Sequence, residues 1–217
     1  ISLFVSTDGN KAYFASNNLN GIGGWDIYSF TLYAEARPER VLFLKGSLLD
    51  ENNHAIEGVA LEIKNVSTQE ITTIKVDNGS YVSSLTLATD DDVLVTVKKH
   101  GFAFNSTYIS SEDTSFNSPS ELNFEMQSLE EGKSFNIENI YFDNNSYEVK
   151  HATREILIEF AQYLEINNRL IIEINGFTDN IGDKVDNQFL SENRAKAVRD
   201  LIVIQGISEE RVLYNGF

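Results

Sequence analysis

The sequence predicts a multidomain chain in which β-rich segments precede a C-terminal α/β unit. Three observations predict it. Between Val41 and Ser110, short β-branched runs are punctuated by Gly, Asn and Asp. From 111 to 133 the chain turns polar, rich in Ser, Asn and Glu. Beyond that point the apolar period lengthens from the strand value to the helical one. At 217 residues the chain suits one or two domains with a sizeable core.

Composition narrows the classes of function. A formal charge of −16 argues against nucleic acid and anionic membrane surfaces, which require clustered Lys and Arg. No apolar run approaches the roughly 18 residues of a membrane-spanning helix. The start, "ISLFVSTDGN", lacks the charge-then-apolar pattern of a signal peptide. It begins in mid-pattern without Met, so the chain is expected to be a piece of a longer protein. Cysteine is absent, which excludes a thiolate metal site, a disulfide framework and a cysteine nucleophile. His54, His100 and His151 are scattered, so no His-based metal site is expected. Nothing calls for a cofactor.

Residues 1–38 read as strands. "LFVST" and "KAYFAS" are separated by Asp8-Gly9, a two-residue hairpin signal. "NNLNGIGG" is a loop and "WDIYSFTL" a third strand; three strands cannot close a core alone. Residues 39–112 read as a small all-β sandwich. Its strands are "VLFLKGSLL", "GVALEIKNV", "EITTIKV", "GSYVSSLTL" and "DVLVTVKK". Val59, Leu61 and Ile63 alternate, as do Val93, Val95 and Val97, so one face of each strand should meet a core. The acids of "ATDDDV" lack the alternating acids and glycine of a calcium loop and read as a solvated turn. Residues 113–133 read as a linker holding one edge strand.

Residues 134–217 read as a βαβα unit. "FNIENIYFD" is expected as a strand. "YEVKHATREILIEFAQYLEIN" is expected as a helix, through Ile156, Leu157, Phe160, Ala161 and Leu164. "RLIIEING" gives a second strand, parallel to the first through a right-handed crossover. "LSENRAKAVRDLIVIQG" gives a second helix, with Gly206 at its stop. "RVLYNGF" begins another strand.

Functional residues in such units gather in loops at the carboxyl ends of strands. Asp179 lies just past Asn175-Gly176, in a loop that Gly176 and Gly182 allow to turn sharply. Arg194 is expected one to two turns inside the following helix. Together they would suit a ligand with an ammonium and a carboxylate on one carbon. Separately, each has an ordinary role: a turn residue for the Asp, a solvated ion-pair partner for the Arg.

"GFTDN", Asn187, "LS" at Leu190-Ser191 and "RAKAV" at 194–198 resemble the OmpA-like C-terminal domain, whose pattern is G-H-T-D, an Asn, then L-S-x-x-R-A-x-A-V. "IYFDNNSYEV" and "GISEERVLYNGF" match the same family at the right places. The resemblance covers 134–217 and implies non-covalent binding of peptidoglycan through the diaminopimelate of the stem peptide. By that resemblance Asp179 receives the ammonium and Arg194 the carboxylate. Thr178, Asn187, Phe142 and Asp143 match positions lining the same pocket. Two departures stand out. Phe177 replaces the usual His, and the final strand with its "NRR" signature is absent, leaving the domain without its last strand.

Upstream, "STDGNKAYFASNNLNGIGGWDIYSF" resembles a TolB/WD40-like β-propeller repeat, with Trp25 and Asp26 as structural residues. "LKGSLLDENNHAIEGVALEIKN", "VDNGSYVSSL" and "VTVKKHGFAFNSTYI" resemble a carboxypeptidase-regulatory-like sandwich. This order is similar to cell-envelope proteins of the Bacteroidota, among them a peptidoglycan-anchoring lipoprotein of type IX secretion. It implies a periplasmic location, associated with the outer membrane through an upstream lipid anchor, and envelope-protein partners. The expected function is a wall tether for an envelope or secretion assembly. The alternative is a protein-interaction scaffold in which wall contact is minor. Paired carboxylates can run glycoside hydrolysis, and Glu138, Asp143, Asp179 and Asp183 are available. No Ser-His-Asp order, HExxH or phosphate loop supports an enzyme, and none is expected.

Overall fold

The computed structural model of the chain describes residues 3–6, 9–19, 21–37, 39–88, 90–113, 120–179 and 181–217. β1 (Leu3–Val5), β2 (Lys11–Ser16) and β3 (Asp26–Thr31) form an antiparallel sheet in chain order. Of the expected Asp8-Gly9 turn, Asp8 lies outside the described residues. Gly9 takes φ 69° and donates its N–H to the Ser6 carbonyl at 2.9 Å, a conformation that a Cβ would penalise. Phe14 stacks on Tyr28 at 5.6 Å and meets the edge of Phe30 at 6.1 Å. Only Ala12 and Leu32 are buried in this region among the described apolar residues, while Phe4, Trp25 and Ile27 are exposed.

Two further sheets share one core. β4 (Arg40–Asp50) pairs antiparallel with β7 (Ser80–Leu87). The other sheet has β5 (Ala60–Asn65), β6 (Ile71–Lys75), β8 (Val93–Val97) and β9 (Asn105–Ile109) in the order β6-β5-β8-β9, all antiparallel. Leu42, Leu44 and Leu48 from β4 meet Leu61, Ile63, Val93, Val95 and Val97 from the facing sheet. The expected alternations of β5 and β8 therefore point into this core.

The stretch read as a linker returns to the same core. β10 (Ser120–Glu121) and β11 (Phe124–Met126) run parallel along β4, and Phe124 and Met126 are buried in it. Gly46 makes this possible. A Cβ there would lie 1.9 Å from the Leu122 carbonyl oxygen, which also accepts the Tyr81 hydroxyl. The contact is local to space and distant in sequence, so period and composition do not report it. Residues 114–119 of that stretch lie outside the described residues.

In the C-terminal part, α1 (His151–Ile166) is followed by β12 (Ile172–Gly176), α2 (Lys184–Ile204) and β13 (Val212–Gly216). β12 and β13 are parallel, joined through α2. The strand expected over "FNIENIYFD" does not form. Residues 138–139 make a turn, with Asn139 at φ 64°, so the alternation is reset. Phe135 and Ile137 on one side of the turn, and Ile140 and Phe142 on the other, pack half-buried against the helices instead. The parallel pair is consequently the second and third expected strands, not the first and second. Gly206 stops α2 as expected, at φ 102°, donating its N–H to the Val203 carbonyl at 2.9 Å.

The β unit and α1 are built onto each other. Every residue of β8 is buried, because the face turned away from the first core meets α1. Phe104 contacts Phe160 at 5.3 Å and Tyr163 at 5.6 Å. The Tyr163 hydroxyl donates to the Phe102 carbonyl at 2.7 Å. Beside them, Lys64 reaches Glu155 at 2.9 Å and Glu159 at 3.1 Å, and Lys98 reaches Glu159 at 2.8 Å and Glu62 at 2.6 Å. Burial works against the Lys98 ammonium, but the hydrogen bonds it donates to Glu159 and Glu62 outweigh it and hold its pKa above the ordinary lysine value.

Candidate functional site

β12 ends against α2. A Cβ on Gly176 would lie 2.2 Å from the Ser191 carbonyl oxygen, so only glycine lets the strand close on the helix there. The chain then leaves the sheet through Phe177 and half-buried Thr178 to exposed Asp179. The Asp179 carboxylate accepts the Ile181 N–H at 3.2 Å, the local turn its residue type favours. Asn180 lies outside the described residues. Gly182 at φ 101° turns the chain into the helix.

Asp183 starts α2, its carboxylate accepting from the N–H groups of Val185 at 2.8 Å and Asp186 at 3.3 Å. The sequence reading began this helix near Leu190. The cap draws it back to Lys184, so Arg194 sits about three turns inside rather than one to two. Asn187 now lies in the first turn. Its side-chain amide donates to the Asp179 carbonyl at 3.2 Å and the Ile181 carbonyl at 3.0 Å, strapping the loop to the helix.

Arg194 lies two turns on from Asn187 and on the same helix face, roughly 10 Å along the axis. Its Nε donates to the Ser146 carbonyl at 2.9 Å and its Nη2 to the Asp143 carbonyl at 3.1 Å. Its guanidinium carbon lies 5.2 Å from the centre of the Phe142 ring, a cation–π arrangement. The remaining guanidinium N–H groups have no acceptor among the described residues. Asn145 at φ 52° turns the chain so that the Asp143 and Ser146 carbonyls converge on the guanidinium.

The six expected site residues thus fall into two groups joined by one face of α2. Thr178, Asp179 and Asn187 form one, Phe142, Asp143 and Arg194 the other. Asp179 and Arg194 make no ion pair with each other. Asp143 enters only through its backbone. Its carboxylate, 72% exposed, is held by Lys150 at 2.5 Å. Ser146 was missed by the sequence reading; its role is played by a carbonyl, for which residue type carries no signal beyond the Asn-rich turn before it.

Among the described residues, no group of three or more His, Cys, Asp or Glu is placed to hold a metal ion. Of the acids of "ATDDDV", Asp90 is an exposed turn residue as expected, whereas Asp91 and Asp92 are drawn into hydrogen bonds. Asp91 accepts from the Asn65 amide at 2.8 Å and the Ala88 N–H at 3.0 Å, and Asp92 from the Tyr108 hydroxyl at 2.6 Å and the Ser111 N–H at 2.6 Å. Thr89 of that stretch lies outside the described residues.

Residues 141–217 match the OmpA family. The OmpA-like match begins at Tyr141, so it takes in both halves of the site. Over 83 residues the chain is 36% identical to outer membrane protein A of Buchnera aphidicola subsp. Schizaphis graminum, covering 36% of this chain and 23% of that protein. Over 73 residues it is 38% identical to the peptidoglycan-associated lipoprotein of Pseudomonas putida, covering 33% of this chain and 43% of that protein. The chain therefore spans less than half the length of either relative. The crystal structure of the peptidoglycan-associated lipoprotein from Burkholderia pseudomallei is 32% identical, with a TM-score of 0.35 over 36% of this chain and 66% of that one. Within the OmpA-like domain, no helix is long and apolar enough to cross a membrane, and this holds for all described residues.

Proposed function

We propose that residues 134–217 bind peptidoglycan non-covalently through the diaminopimelate of the stem peptide, and so anchor an envelope or secretion assembly to the cell wall. One observation carries the reading: Asn187 straps the Asp179 loop to the face of α2 that also bears Arg194. Asp179 takes the ammonium and the open side of the Arg194 guanidinium takes the carboxylate. Phe142 and the Asp143 and Ser146 carbonyls hold Arg194 in place, so little side-chain freedom is lost on binding. Thr178 lines the floor beside Asp179. The OmpA-family match and the name of the Pseudomonas relative support the ligand class. The arrangement is a binding site rather than a catalytic one.

Two charge-assisted contacts of about 1.5–3 kcal/mol each give roughly micromolar-to-millimolar affinity for one stem peptide. A wall that repeats that peptide adds avidity when several copies of the protein assemble. Co-sedimentation with diaminopimelate-type sacculi tests the reading. Asp179→Ala and Arg194→Ala should each abolish it. Equal retention on lysine-type sacculi would sink it, because lysine lacks the second carboxylate.

A scaffold role is favoured by the β1–β3 sheet, whose exposed Phe4, Trp25 and Ile27 fit the reading of residues 1–38 as the end of a propeller. The two sheets that share a core support reading 39–112 as the carboxypeptidase-regulatory-like unit. Removing residues 1–37 should then abolish partner capture while leaving sacculus binding unchanged.

A further inference from the structure

We infer that Lys150 is a positioning residue for the carboxylate subsite: it holds the Asp143 side chain off the Arg194 guanidinium and so keeps that group's free donors for the ligand. This rests on the diaminopimelate reading above and deepens it, because it names what keeps the subsite open. A guanidinium presents its N–H groups in a fixed fork geometry, one pair along its side and one pair at its end. The side pair of Arg194 is spent. Nε donates to the Ser146 carbonyl at 2.9 Å and Nη2 to the Asp143 carbonyl at 3.1 Å. Phe142 covers one face of the plane, its ring centre 5.2 Å from the guanidinium carbon. What remains is the end pair on Nη1 and Nη2, and a ligand carboxylate reaches Arg194 bidentately only there.

The Asp143 side chain is the internal competitor for that pair. Its own backbone carbonyl already sits on Nη2, so its carboxylate is one side-chain rotation from the same nitrogen. The backbone does not carry it away. The Asp143 carbonyl also accepts the Ser146 N–H at 3.1 Å, which closes a tight turn beside Arg194. An aspartate swung onto the guanidinium would fill the open pair and cancel its charge, leaving a ligand carboxylate nothing to displace it with but an equal contact.

Lys150 decides which way that side chain turns. Its ammonium lies 2.5 Å from an Asp143 carboxylate oxygen, and no other cation pairs with that carboxylate among the described residues. The lysine is the residue just before α1, yet its side chain makes no capping hydrogen bond to the helix. The ion pair is exposed on both sides, so it adds little to stability. Its effect is on the direction of one carboxylate next to a binding cation.

The test is calorimetric titration of the whole chain with a diaminopimelate tripeptide. Lys150→Met should weaken binding about two- to fivefold, the size of an exposed ion pair, with the melting temperature unmoved. Lys150→Arg, which keeps the charge, should recover most of that loss. Asp143→Asn added to Lys150→Met should restore the affinity as well, because a neutral amide competes poorly for a guanidinium. A pair that merely stiffened the turn would not be rescued in this way, since the double variant still lacks it. A Lys150→Met variant that binds as tightly as the wild type overturns the inference and leaves the diaminopimelate reading standing. So does a loss that Asp143→Asn fails to repair, which puts the lysine on the ligand itself. If the wild type does not bind the tripeptide, the diaminopimelate reading falls and the inference with it.

Discussion

Helices α1 and α2 lie side by side in one apolar cluster, yet they use charge in opposite ways. α1 turns Glu155 and Glu159 inward, within a stripe of Ile156, Phe160 and Tyr163, and covers them with Lys64 and Lys98 of the β unit. α2 keeps Asn187 and Arg194 on a face only half covered, where backbone carbonyls steady the side chains and leave donors open. Burial and completeness of pairing separate a structural charge from one able to meet a ligand. The α1 network joins the β unit and the OmpA-like domain into one body.

The largest expected effect lies on α1. Glu159 is 1% exposed and pairs with both lysines. Glu159→Ala would leave two buried ammonium groups short of their partner, a loss of about 3–5 kcal/mol. For a chain of this size that lowers the melting temperature by on the order of 10 °C. An unchanged melting temperature would show that the network holds nothing. Replacing Lys64, Lys98, Glu155 and Glu159 together with apolar residues of similar volume should be far milder, since no charge is then stranded. Expressed alone, residues 134–217 would expose Phe160 and Tyr163 and should aggregate.

Asn187→Ala sharpens the other side of the contrast. It removes two hydrogen bonds from an exposed loop and should cost only about 1 kcal/mol of stability. Sacculus binding should nonetheless fall about tenfold, because the Asp179 loop must then be ordered by the ligand itself. A variant that loses melting temperature and keeps its binding would reverse the assignment of roles between the two helices.

These roles were only partly legible in the sequence. Asp179 and Arg194 stood out because glycines and a helical period frame them, and the strands of the β unit because their apolar residues alternate. The α1 interface did not. Glu62 and Lys64 on β5, and Thr96 on β8 with Lys98 just past its end, occupy the polar positions of alternating runs and read as a solvated face. Two acids one turn apart inside the apolar stripe of α1 are the only local hint that this face is covered. The expected strand over Phe135–Asp143 failed for a related reason: alternation was read across Asn139, whose left-handed turn cuts the run in two. An edge strand is expected in the polar stretch and β11 forms there, but its place along β4 is not legible locally, because the close approach of the Leu122 carbonyl beside it depends on the absence of a side chain at Gly46, far away in the chain.

The smallest expected effect is the lysine share of a pH dependence, and it lies on the α1 side. The Lys98 pKa is raised in the folded state, burial opposing and the Glu159 and Glu62 hydrogen bonds prevailing. A raised lysine pKa contributes stability that is complete below the unfolded value of about 10.4 and is lost as pH climbs through the folded one. Burial also pushes the Tyr81 and Tyr163 hydroxyls well above the ordinary tyrosine value, so the unfolded chain releases their protons first and alkali destabilises the fold through them as well. The lysine share is isolated by comparing the wild type with Lys98→Met. Urea midpoints followed from about pH 9 to about pH 11.5 should fall in both proteins, and more steeply in the wild type. Parallel slopes would mean that Lys98 titrates as it does in the unfolded chain. The ion pairs behind β8 would then resemble solvent-exposed ones, and the contrast between α1 and α2 would lose its electrostatic basis.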